Sequence, residues 1–420
     1  MAFGKASFIL DTQSNLNLEQ ILLLTTASLA ANPRLVKEFE CLKEHFKCTV
    51  ICFSHQDWSA PLSQKIIAAN PSVNFVQIDR KNELFSTIWS KVLHKISIRL
   101  NPFFKSSLRI AAFASNDKTP QLSKKTMSIV DQQKFTHIIA HNLGAFYPAI
   151  KSAKKSKAKL QLDIEDFHPG EMPYFNAQNE PDNRQLIMKK TLKKAEHITY
   201  ASPMIMEECL SLFENKNSIE RKSTVVNNCF SEKEFIYKLN NSDKLKLVWF
   251  SQNISLGRGL DQIIPVLRRY SDQIELHLFG NLYGDFAKQF KNELDNFITI
   301  HKPLYQTRLN LTLANYDIGL AIESNLSDYN REICLTNKIW AYLQSGLFIL
   351  ASNTKAQTRF LKEHKDSGLS SPMDEESLSE NIKYLISNID DIRKNKETRF
   401  EESKKFSWER EQIKLKNSIK

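Results

Sequence analysis

The sequence has no pair of cysteines separated by two residues and no grouping of cysteine and histidine at the spacing of a metal site. Its six cysteines are scattered along 420 residues, a chain long enough to fold without a disulfide framework. We expect them to be buried free thiols in a reducing compartment: Cys41, Cys48, Cys52, Cys209, Cys229 and Cys334.

Long apolar runs are also missing, because no stretch reaches the roughly 18 residues that a membrane-spanning helix needs. The segment ILLLTTASLAA (21–31) has the apolar length and small-residue end of a signal peptide. However, Asp11 and Glu19 precede it, and Lys5 is the only base before it. We interpret it as a first buried strand and predict a cytoplasmic protein.

Acidic residues are absent between Glu83 and Asp117, where bases and large apolar residues are interleaved. These residues are Lys91, Lys95, Arg99, Lys105 and Arg109, with Trp89, Leu93, Ile96, Leu100, Phe103 and Phe104; Lys151, Lys154 and Lys155 add a second basic face. Two interpretations stay open: a solvated helix whose apolar side is core, or contact with an anionic membrane surface or a lipid-linked acceptor. The second would place the protein peripherally on the inner face of a membrane.

The net charge of +11 suits partners that carry phosphate, and it equally suits simple solubility. No nucleic-acid recognition motif accompanies the charge, and the bases are spread along the chain, so nucleic acid is not an expected partner. An apolar content of 41% with 25% charged residues is typical of a folded globular protein.

Strand-like and helix-like segments alternate, which predicts an α/β protein with two Rossmann-like, doubly wound parallel sheets facing a cleft. The predicted strands are 20–28, 48–54, 73–79, 135–142, 159–166, 197–202, 223–228, 245–251, 274–280, 297–303, 317–322 and 347–352. A polar connection at 229–244 separates two series of strands. We therefore predict a first domain at 1–230, a second at 231–405, and a final helix at 406–420 that packs back on the first.

The first strand of the second half runs into QNISLGRGLDQII, which contains Asn253 and the turn Gly257-Arg258-Gly259 before a helix. Glycine lets a backbone approach a ligand closely, and a helix N-terminus presents free N–H groups with partial positive charge. Arginine adds a fork of donors that matches phosphate oxygens. The pattern predicts a pyrophosphate cradle; the alternative is an ordinary turn with a surface arginine.

After the strand at 317–322, a polar loop leads to a helix expected to start near Glu332 and to end at Gly346. Ile333, Trp340 and Leu343 have the spacing of a core face. The candidates for ribose and phosphate contacts are Glu323, Arg331, Glu332, Asn337 and Lys338. The alternative for this set is helix capping and a solvated lysine.

In the first half, two strand ends carry polar residues that would face the cleft. His141 and Asn142 end one strand, and Gly144 is expected to let the chain turn into a helix, so all three are candidate sugar contacts. The stretch DIEDFHPGE (163–171) ends the next strand with Glu165, Asp166 and His168. Carboxylates and imidazole can hold sugar hydroxyls or move a proton. A metal site and an acidic surface loop are the alternatives.

The chain resembles retaining GT-B glycosyltransferases of the family 4-like group, in the version seen in bacterial surface-polysaccharide enzymes. The segments that carry the resemblance are LVWFSQNISLGRGLDQII, HLFG, LANYDIGLAIE, TNKIWAYLQSGLFILAS, NPRLVKEFECLKEH and AHNLGAFYPA…LQLDIEDFHPGE. The resemblance matches Arg258 to the basic residue of the phosphate site, and Asp166 with His168 to the position that contacts the transferred sugar.

The resemblance implies transfer of a sugar from a UDP- or GDP-sugar donor to a hydroxyl of a glycan or lipid-linked acceptor, with retention and without cofactor or essential metal. One position departs from the family: Ala341 replaces the glutamate that usually holds the nucleotide ribose, and Glu332 is a candidate substitute. Two other functions stay open, a nucleotide-sugar epimerase of the same fold and a non-catalytic nucleotide-sugar binder.

Overall fold

The computed structural model describes residues 18–54, 57, 59–175, 178–294, 296–324 and 328–419. The residues before 18, including Lys5 and Asp11 of the signal-peptide argument, lie outside the described residues. Among those described, no helix combines the length and the apolar character that a membrane crossing requires.

Thirteen strands form two sheets in the described part of the chain. They are β1 Gln20–Thr25, β2 Lys47–Ser54, β3 Asn74–Asp79, β4 His137–His141, β5 Lys159–Ile164, β6 His197–Tyr200, β7 Ser223–Val225, β8 Leu245–Ile254, β9 Ile274–Leu282, β10 Ile298–His301, β11 Ile318–Ala321, β12 Phe348–Ser352 and β13 Gly368–Ser371.

Twenty α-helices lie between and after the strands in the described part of the chain. They are α1 Pro33–Leu42, α2 Ser59–Ala69, α3 Leu84–Leu100, α4 Leu108–Ser115, α5 Thr119–Gln132, α6 Leu143–Ser156, α7 Glu180–Lys194, α8 Pro203–Ser211, α9 Asn217–Glu220, α10 Leu260–Leu267, α11 Gly284–Gln289, α12 Lys291–Leu294, α13 Gln306–Leu313, α14 Tyr329–Ile333, α15 Asn337–Gln344, α16 Lys355–Glu363, α17 Glu375–Ser387, α18 Ile389–Lys394, α19 Lys396–Ser403 and α20 Trp408–Ile419.

Both sheets are parallel, which confirms the predicted fold class. The first has the order β3-β2-β1-β4-β5-β6-β7 and the second the order β10-β9-β8-β11-β12-β13. We call each sheet with its packed helices a lobe. Along β1, Ile21 and Leu23 face one core while Leu22 and Leu24 face another, so the first sheet is covered on both faces.

Two details of the second lobe differ from the sequence-based expectation. The helix expected from Glu332 is two helices, because Cys334 and Thr336 have extended backbone angles and α15 starts only at Asn337. Strand β13 was not predicted, since its four residues, GLSS, contain no apolar run. Gly346 ends α15 as expected, with φ +70°. Ile333, Trp340 and Leu343 are buried as expected.

The last helix, α20, returns from the second lobe to the first. The N–H of Trp408 donates to the carbonyl of Phe230 at 2.9 Å, and the N–H of Asn227 donates to the Glu411 carboxylate at 2.9 Å. Ile419 is buried in the core that contains Leu35 and Phe39 of α1. The chain therefore crosses between the lobes twice, near residues 226–244 and again before α20.

Candidate functional site

A cavity of about 640 Å³ lies between the lobes at the carboxyl ends of strands in the second sheet, where parallel sheets bind ligands. The second lobe provides most of its wall, and Leu62 of α2 contributes from the first lobe. Its lining residues are Leu62, Phe250, Ser251, Gln252, Arg258, Phe279, Asn281, Pro303, Leu304, Gln306, Leu309, Glu323, Arg331, Thr336, Asn337 and Lys338.

The predicted cradle turn brings Arg258 to this cavity. Gly257 and Gly259 have φ +74° and +82°, conformations that glycine adopts without strain. A Cβ on Gly259 would approach Ile322 to 3.2 Å, so the turn also packs closely against the end of β11. The Arg258 guanidinium donates to the Ser251 hydroxyl at 2.5 Å, which directs it along the cavity wall.

Three cations and one carboxylate line the cavity among the described residues. Glu323 lies 3.4 Å from the Lys338 ammonium and 3.9 Å from the Arg331 guanidinium, measured between nitrogen and carboxylate oxygen. Burial lowers the pKa of Lys338, Glu323 opposes the shift, and the positive charges of Arg258 and Arg331 lower the pKa further. The cavity therefore has an excess of positive charge that its own residues do not neutralise.

The start of α15 contributes polar groups to the cavity lining. Thr336 has the extended backbone of an N-cap residue, but its hydroxyl does not cap the helix. That hydroxyl is buried and has no hydrogen-bond partner among the described residues. Asn337 follows at the cavity wall, and its Oδ1 accepts from Asn228 of the segment that joins the lobes, at 2.8 Å.

Part of the cavity lining is apolar and aromatic. It consists of side chains from the late part of β8 and β9, from the loop after β10 and from α13: Phe250, Phe279, Pro303, Leu304 and Leu309. The lining thus offers apolar surface to a flat group as well as cations to an anion.

Asp166 of the first lobe is held at the edge of this site by the second lobe. Asn330 of α14 donates from Nδ2 to Asp166 Oδ1 at 2.7 Å and accepts the Phe167 N–H at 2.8 Å. Burial and the charge of Glu171 raise the pKa of Asp166. Asp166 does not line the cavity, but together with Glu323 it raises the pKa of Arg331, against the lowering effect of burial. The predicted catalytic carboxylate and the predicted donor cations are therefore electrostatic neighbours.

His168 is buried beside Asp166 and paired with Glu171, whose Oε2 lies 2.9 Å from Nδ1. Burial lowers the pKa of His168, but the Glu171 carboxylate outweighs this effect and the net pKa is raised. Arg184 of α7 fixes the loop by donating to the carbonyls of His168 and Glu171 at 3.1 and 2.8 Å.

His141 has no exposed surface and lies at the centre of a buried charge network. Its Nε2 is 2.5 Å from Glu38 Oε2, and its Nδ1 is 3.2 Å from both Asp163 and Glu165. Arg34 completes the network with a fork of two bonds to Asp163, at 2.6 and 2.8 Å. His141 is thus a fully buried histidine with its ring nitrogens satisfied, and it does not line the 640 Å³ cavity.

Asn142 and Gly144 both differ from the expected turn. The residue with positive φ is Asn142, at +69°, and its Oδ1 accepts the Thr25 hydroxyl at 2.5 Å. Gly144 lies in the first turn of α6, where an added Cβ would come within 2.8 Å of Thr26 and Asn116. Glycine is required there for close packing, whereas Asn142 makes the turn.

The ligand atoms of His141, Asp163 and Glu165 lie within 4.8 Å of one another, which is the spacing of a metal-binding group. Both Asp163 oxygens are already engaged, one by Arg34 and the other by Arg34 and the Thr199 hydroxyl. The negative charge of Asp163 is therefore balanced by the Arg34 guanidinium.

The structure thus brings five of the predicted donor-binding residues to one cavity: Arg258, Glu323, Arg331, Asn337 and Lys338. Gly257 and Gly259 support the turn from outside the lining. Asn253 is not a lining residue, but it is the register partner of Asn281, which does line the cavity, between β8 and β9. The Glu332 carboxylate accepts the Lys355 N–H at 3.4 Å and also lies outside the lining.

Three residues central to this region were not singled out from the sequence. Asn330 lay in a polar loop with no distinguishing pattern, and Arg34 and Glu38 appeared only within a helix segment. The spacing of Arg34 and Glu38, one helical turn apart in α1, was the available signal, because it places a base and an acid on one face.

No protein-family model matches the chain, and no curated protein sequence matches it. Solved structures align with it at low identity. Anabaena Alr3699/HepE in complex with UDP-glucose aligns with a TM-score of 0.63 at 12% identity, over 95% of this chain and 99% of that chain. A glycosyltransferase from Rickettsia africae ESF-5 aligns with a TM-score of 0.64 at 14% identity, over 96% and 98%.

A protein provisionally named UDP-N-acetylglucosamine 2-epimerase, from Listeria monocytogenes, aligns with a lower TM-score of 0.55 at 12% identity, over 92% of this chain and 90% of that chain. Each alignment spans both lobes, so each compares the complete two-sheet arrangement. At these identities the likeness establishes the architecture: the chain has the GT-B fold, with two Rossmann-like parallel sheets on either side of a cleft.

Proposed function

We propose that this protein is a hexosyltransferase-type glycosyltransferase. It binds a UDP- or GDP-sugar in the 640 Å³ cavity and transfers the sugar, with retention, to a hydroxyl of a glycan or lipid-linked acceptor in surface-polysaccharide synthesis. The observation that carries the proposal is the charge imbalance of the cavity. Arg258, Arg331 and Lys338 converge there against the single described carboxylate of Glu323.

A diphosphate fits this imbalance because it supplies two or more negative charges and many acceptor oxygens. Arg258 and Arg331 offer forks of donors, and Lys338 offers a buried ammonium. The N-terminus of α15, with its unpartnered Thr336 hydroxyl, adds further donors and a partial positive charge. A bound anion would also relieve the mutual repulsion that lowers the pKa of Lys338.

The apolar wall accounts for the remainder of the donor. Phe250, Phe279 and Leu304 offer flat and aliphatic surface for the nucleotide base. The sugar would then extend beyond the diphosphate toward the first lobe, where Asp166 lies next to Arg331.

Transfer breaks the bond between the anomeric carbon and the diphosphate oxygen and forms a bond to the acceptor oxygen. The departing diphosphate takes the bonding electrons, so fixed cations placed around it stabilise the transition state. The sugar becomes cationic at the same time, which the carboxylates of Asp166 and Glu165 favour, and the acceptor proton is taken up by the departing group. His168 and Asp166 hold the sugar hydroxyls.

Ligand binding to the folded state tests the donor assignment, since it raises the melting temperature. We expect UDP or GDP to stabilise the protein more than UMP or GMP, and uridine or guanosine to have little effect. Stabilisation equal for nucleoside and diphosphate would contradict the diphosphate site. Donor and acceptor glycans together should then yield a glycosylated product with the anomeric configuration of the donor.

The buried Ala341, which replaces the usual ribose-binding glutamate, favours a second candidate, a non-catalytic nucleotide-sugar binder. That function predicts donor binding without hydrolysis or transfer. Incubation with the donor alone also distinguishes an epimerase, which would release an epimerised sugar nucleotide without any acceptor. We place the reaction in the cytoplasm, which agrees with the free state of the six cysteines.

A further inference from the structure

Helix α3 is oriented with its apolar side outward. The side chains that it buries are small or polar: Thr87, Ser90, His94 and Ser97. The side chains that it exposes are large and apolar, and the chain after the helix continues the pattern with Phe103 at 81% exposure. The exposed set, which we call the α3 face, is Phe85, Ile88, Trp89, Val92, Ile96, Leu100, Phe103 and Phe104.

Hydrogen bonds fix α3 in this orientation. The Ser90 hydroxyl donates to the Asp117 carbonyl at 2.7 Å and accepts the Gln121 N–H at 3.1 Å. His94 Nδ1 lies 2.7 Å from the Phe113 carbonyl, and the Thr87 hydroxyl donates to the Arg80 carbonyl at 3.0 Å. Rotating the helix to bury its apolar side would break all of these bonds inside the protein. The outward orientation of the apolar side is therefore fixed by the fold.

The face has the form of a stripe with a basic edge. Phe85, Ile88, Trp89, Val92 and Ile96 recur three or four residues apart, which places them on one side of the helix. Lys91, Lys95 and Arg99 recur every four residues and form a row along one flank, all of them exposed. No acidic residue interrupts the chain between Glu83 and Asp117.

Two further cations lie beyond the end of α3. Lys105 is exposed in the loop that carries Phe103 and Phe104. Lys190 of α7 reaches the same loop and donates to the Ser106 carbonyl at 2.6 Å. Basic residues therefore continue past the end of the helix.

We propose that the α3 face docks on an anionic lipid bilayer, with its aromatic and aliphatic side chains in the interfacial region and its basic row against the headgroups. The charge of the flank decides between a lipid surface and a second copy of the chain. A two-fold dimer through this face would bring like basic rows together in a protein that already carries +11. An anionic bilayer presents the opposite charge over an extended plane.

The segment 172–175 links this face to the cleft. The Phe175 ring packs edge-on against His94 of α3 at 4.8 Å between centroids, and the Met172 N–H donates to Asp328 of the second lobe at 3.2 Å. Met172, Tyr174 and Phe175 are all exposed, so further apolar side chains lie on the segment that joins α3 to the second lobe. If the proposed transfer function holds, the acceptor is lipid-linked and reaches the cleft along this surface.

Vesicle binding in the absence of any donor tests docking separately from transfer. The full chain is mixed with vesicles of phosphatidylcholine alone or with one third phosphatidylglycerol, and bound protein is measured by co-sedimentation and by the emission of Trp89. We expect binding to the anionic vesicles only, a blue shift that disappears in Trp89→Phe, and weakening as salt is raised.

Two pairs of substitutions separate the apolar and basic contributions. One pair removes apolar side chains, Ile88→Ser with Val92→Ser, and the other reverses basic charges, Lys91→Glu with Lys95→Glu. Each pair should weaken binding to anionic vesicles by about tenfold or more. The control is Ile413→Ser, which changes an exposed isoleucine on α20, on the opposite side of the first sheet, and should leave binding unchanged. Melting temperature and its rise with UDP check that each variant folds.

Equal binding to neutral and anionic vesicles, or binding unaffected by both pairs of substitutions, would overturn the proposal. A dimer in light scattering that Ile88→Ser with Val92→Ser dissociates would instead assign the face to a second copy. Vesicle binding by a protein that fails to transfer sugar would leave docking intact and contradict only the proposed function.

Discussion

Asn330 in the second lobe bonds with both ends of its carboxamide to consecutive residues of the first lobe. It donates to the Asp166 carboxylate at 2.7 Å and accepts the Phe167 N–H at 2.8 Å. The orientation of Asp166 therefore depends on the lobes being together. Any movement that separated the lobes would break both bonds and release the Asp166 carboxylate.

Asn330→Ala should reduce sugar transfer by tenfold or more while changing the affinity for UDP by less than about threefold, because Asn330 lies outside the cavity lining. The lost bonds should also lower the free energy of unfolding by about 1–3 kcal/mol. Transfer kinetics and urea unfolding measure the two effects. Asn417→Ala, an exposed asparagine on α20, is the control. Unchanged transfer would show that Asp166 does not need this partner.

Arg258→Ala should weaken UDP binding by about tenfold or more, since a hydrogen bond to a charged group contributes about 1.5–3 kcal/mol. Uridine, which lacks phosphate, should bind both proteins alike. Calorimetric titration of both ligands measures this, and Arg221→Ala removes an exposed arginine of the first lobe as a matched control. Equal loss for uridine and UDP would mean that Arg258 shapes the cavity and does not bind phosphate.

The missing carboxylate at Ala341 predicts weak recognition of the ribose hydroxyls. We expect the protein to bind UDP and 2′-deoxy-UDP within about threefold of each other, because no hydrogen-bond acceptor replaces the absent glutamate at this position. Competition binding of the two nucleotides checks this. A preference of tenfold or more for UDP would show that another acceptor, with Glu323 the first to test, holds the ribose.

The His141 network predicts a pH dependence of stability. Burial lowers the pKa of His141, but Asp163 and Glu38 outweigh it, so the pKa is raised well above its usual value. A histidine whose pKa is raised by folding stabilises the protein fully below its pKa in the unfolded chain, which is about 6.5. This stabilisation is lost as the pH rises from there through the pKa of the folded state.

The free energy of unfolding of the wild type should therefore exceed that of His141→Gln by more at pH 6 than at pH 9. We expect this difference to shrink by about 1 kcal/mol or more over that range. Urea unfolding at several pH values measures the difference. His45→Gln, at an exposed histidine, is the control and should track the wild type throughout. A constant difference across this range would mean that His141 is neutral in the folded protein.

The convergence of Arg258, Glu323 and Lys338 on one cavity could be predicted from the sequence because local features place these residues. Gly257 and Gly259 mark a turn that few other residues adopt, and Lys338 follows a helix start directly. Parallel strands bring such features to one edge of a sheet, so Arg258, Glu323 and Lys338 meet without any long-range information.

The first-lobe side could not be predicted in the same way. His141 and Asp163 were both visible as polar strand ends, but their burial depends on Arg34 and Glu38, which arrive from a distant helix. Likewise, the apolar pattern of α3 could not show which side faces inward. Ser90 and His94 decide that through bonds to residues on other elements.

The sequence by itself determined the two parallel sheets, the approximate positions of most of their strands and the glycine turn that carries Arg258, because alternation, apolar runs and glycine act over a few residues. Only the tertiary structure decided which charges are neutralised and which stay available. That outcome depends on distances between segments far apart in the chain, such as Asn330 to Asp166 and Arg34 to Asp163, and it separates a buried ion network from a cavity with unbalanced positive charge.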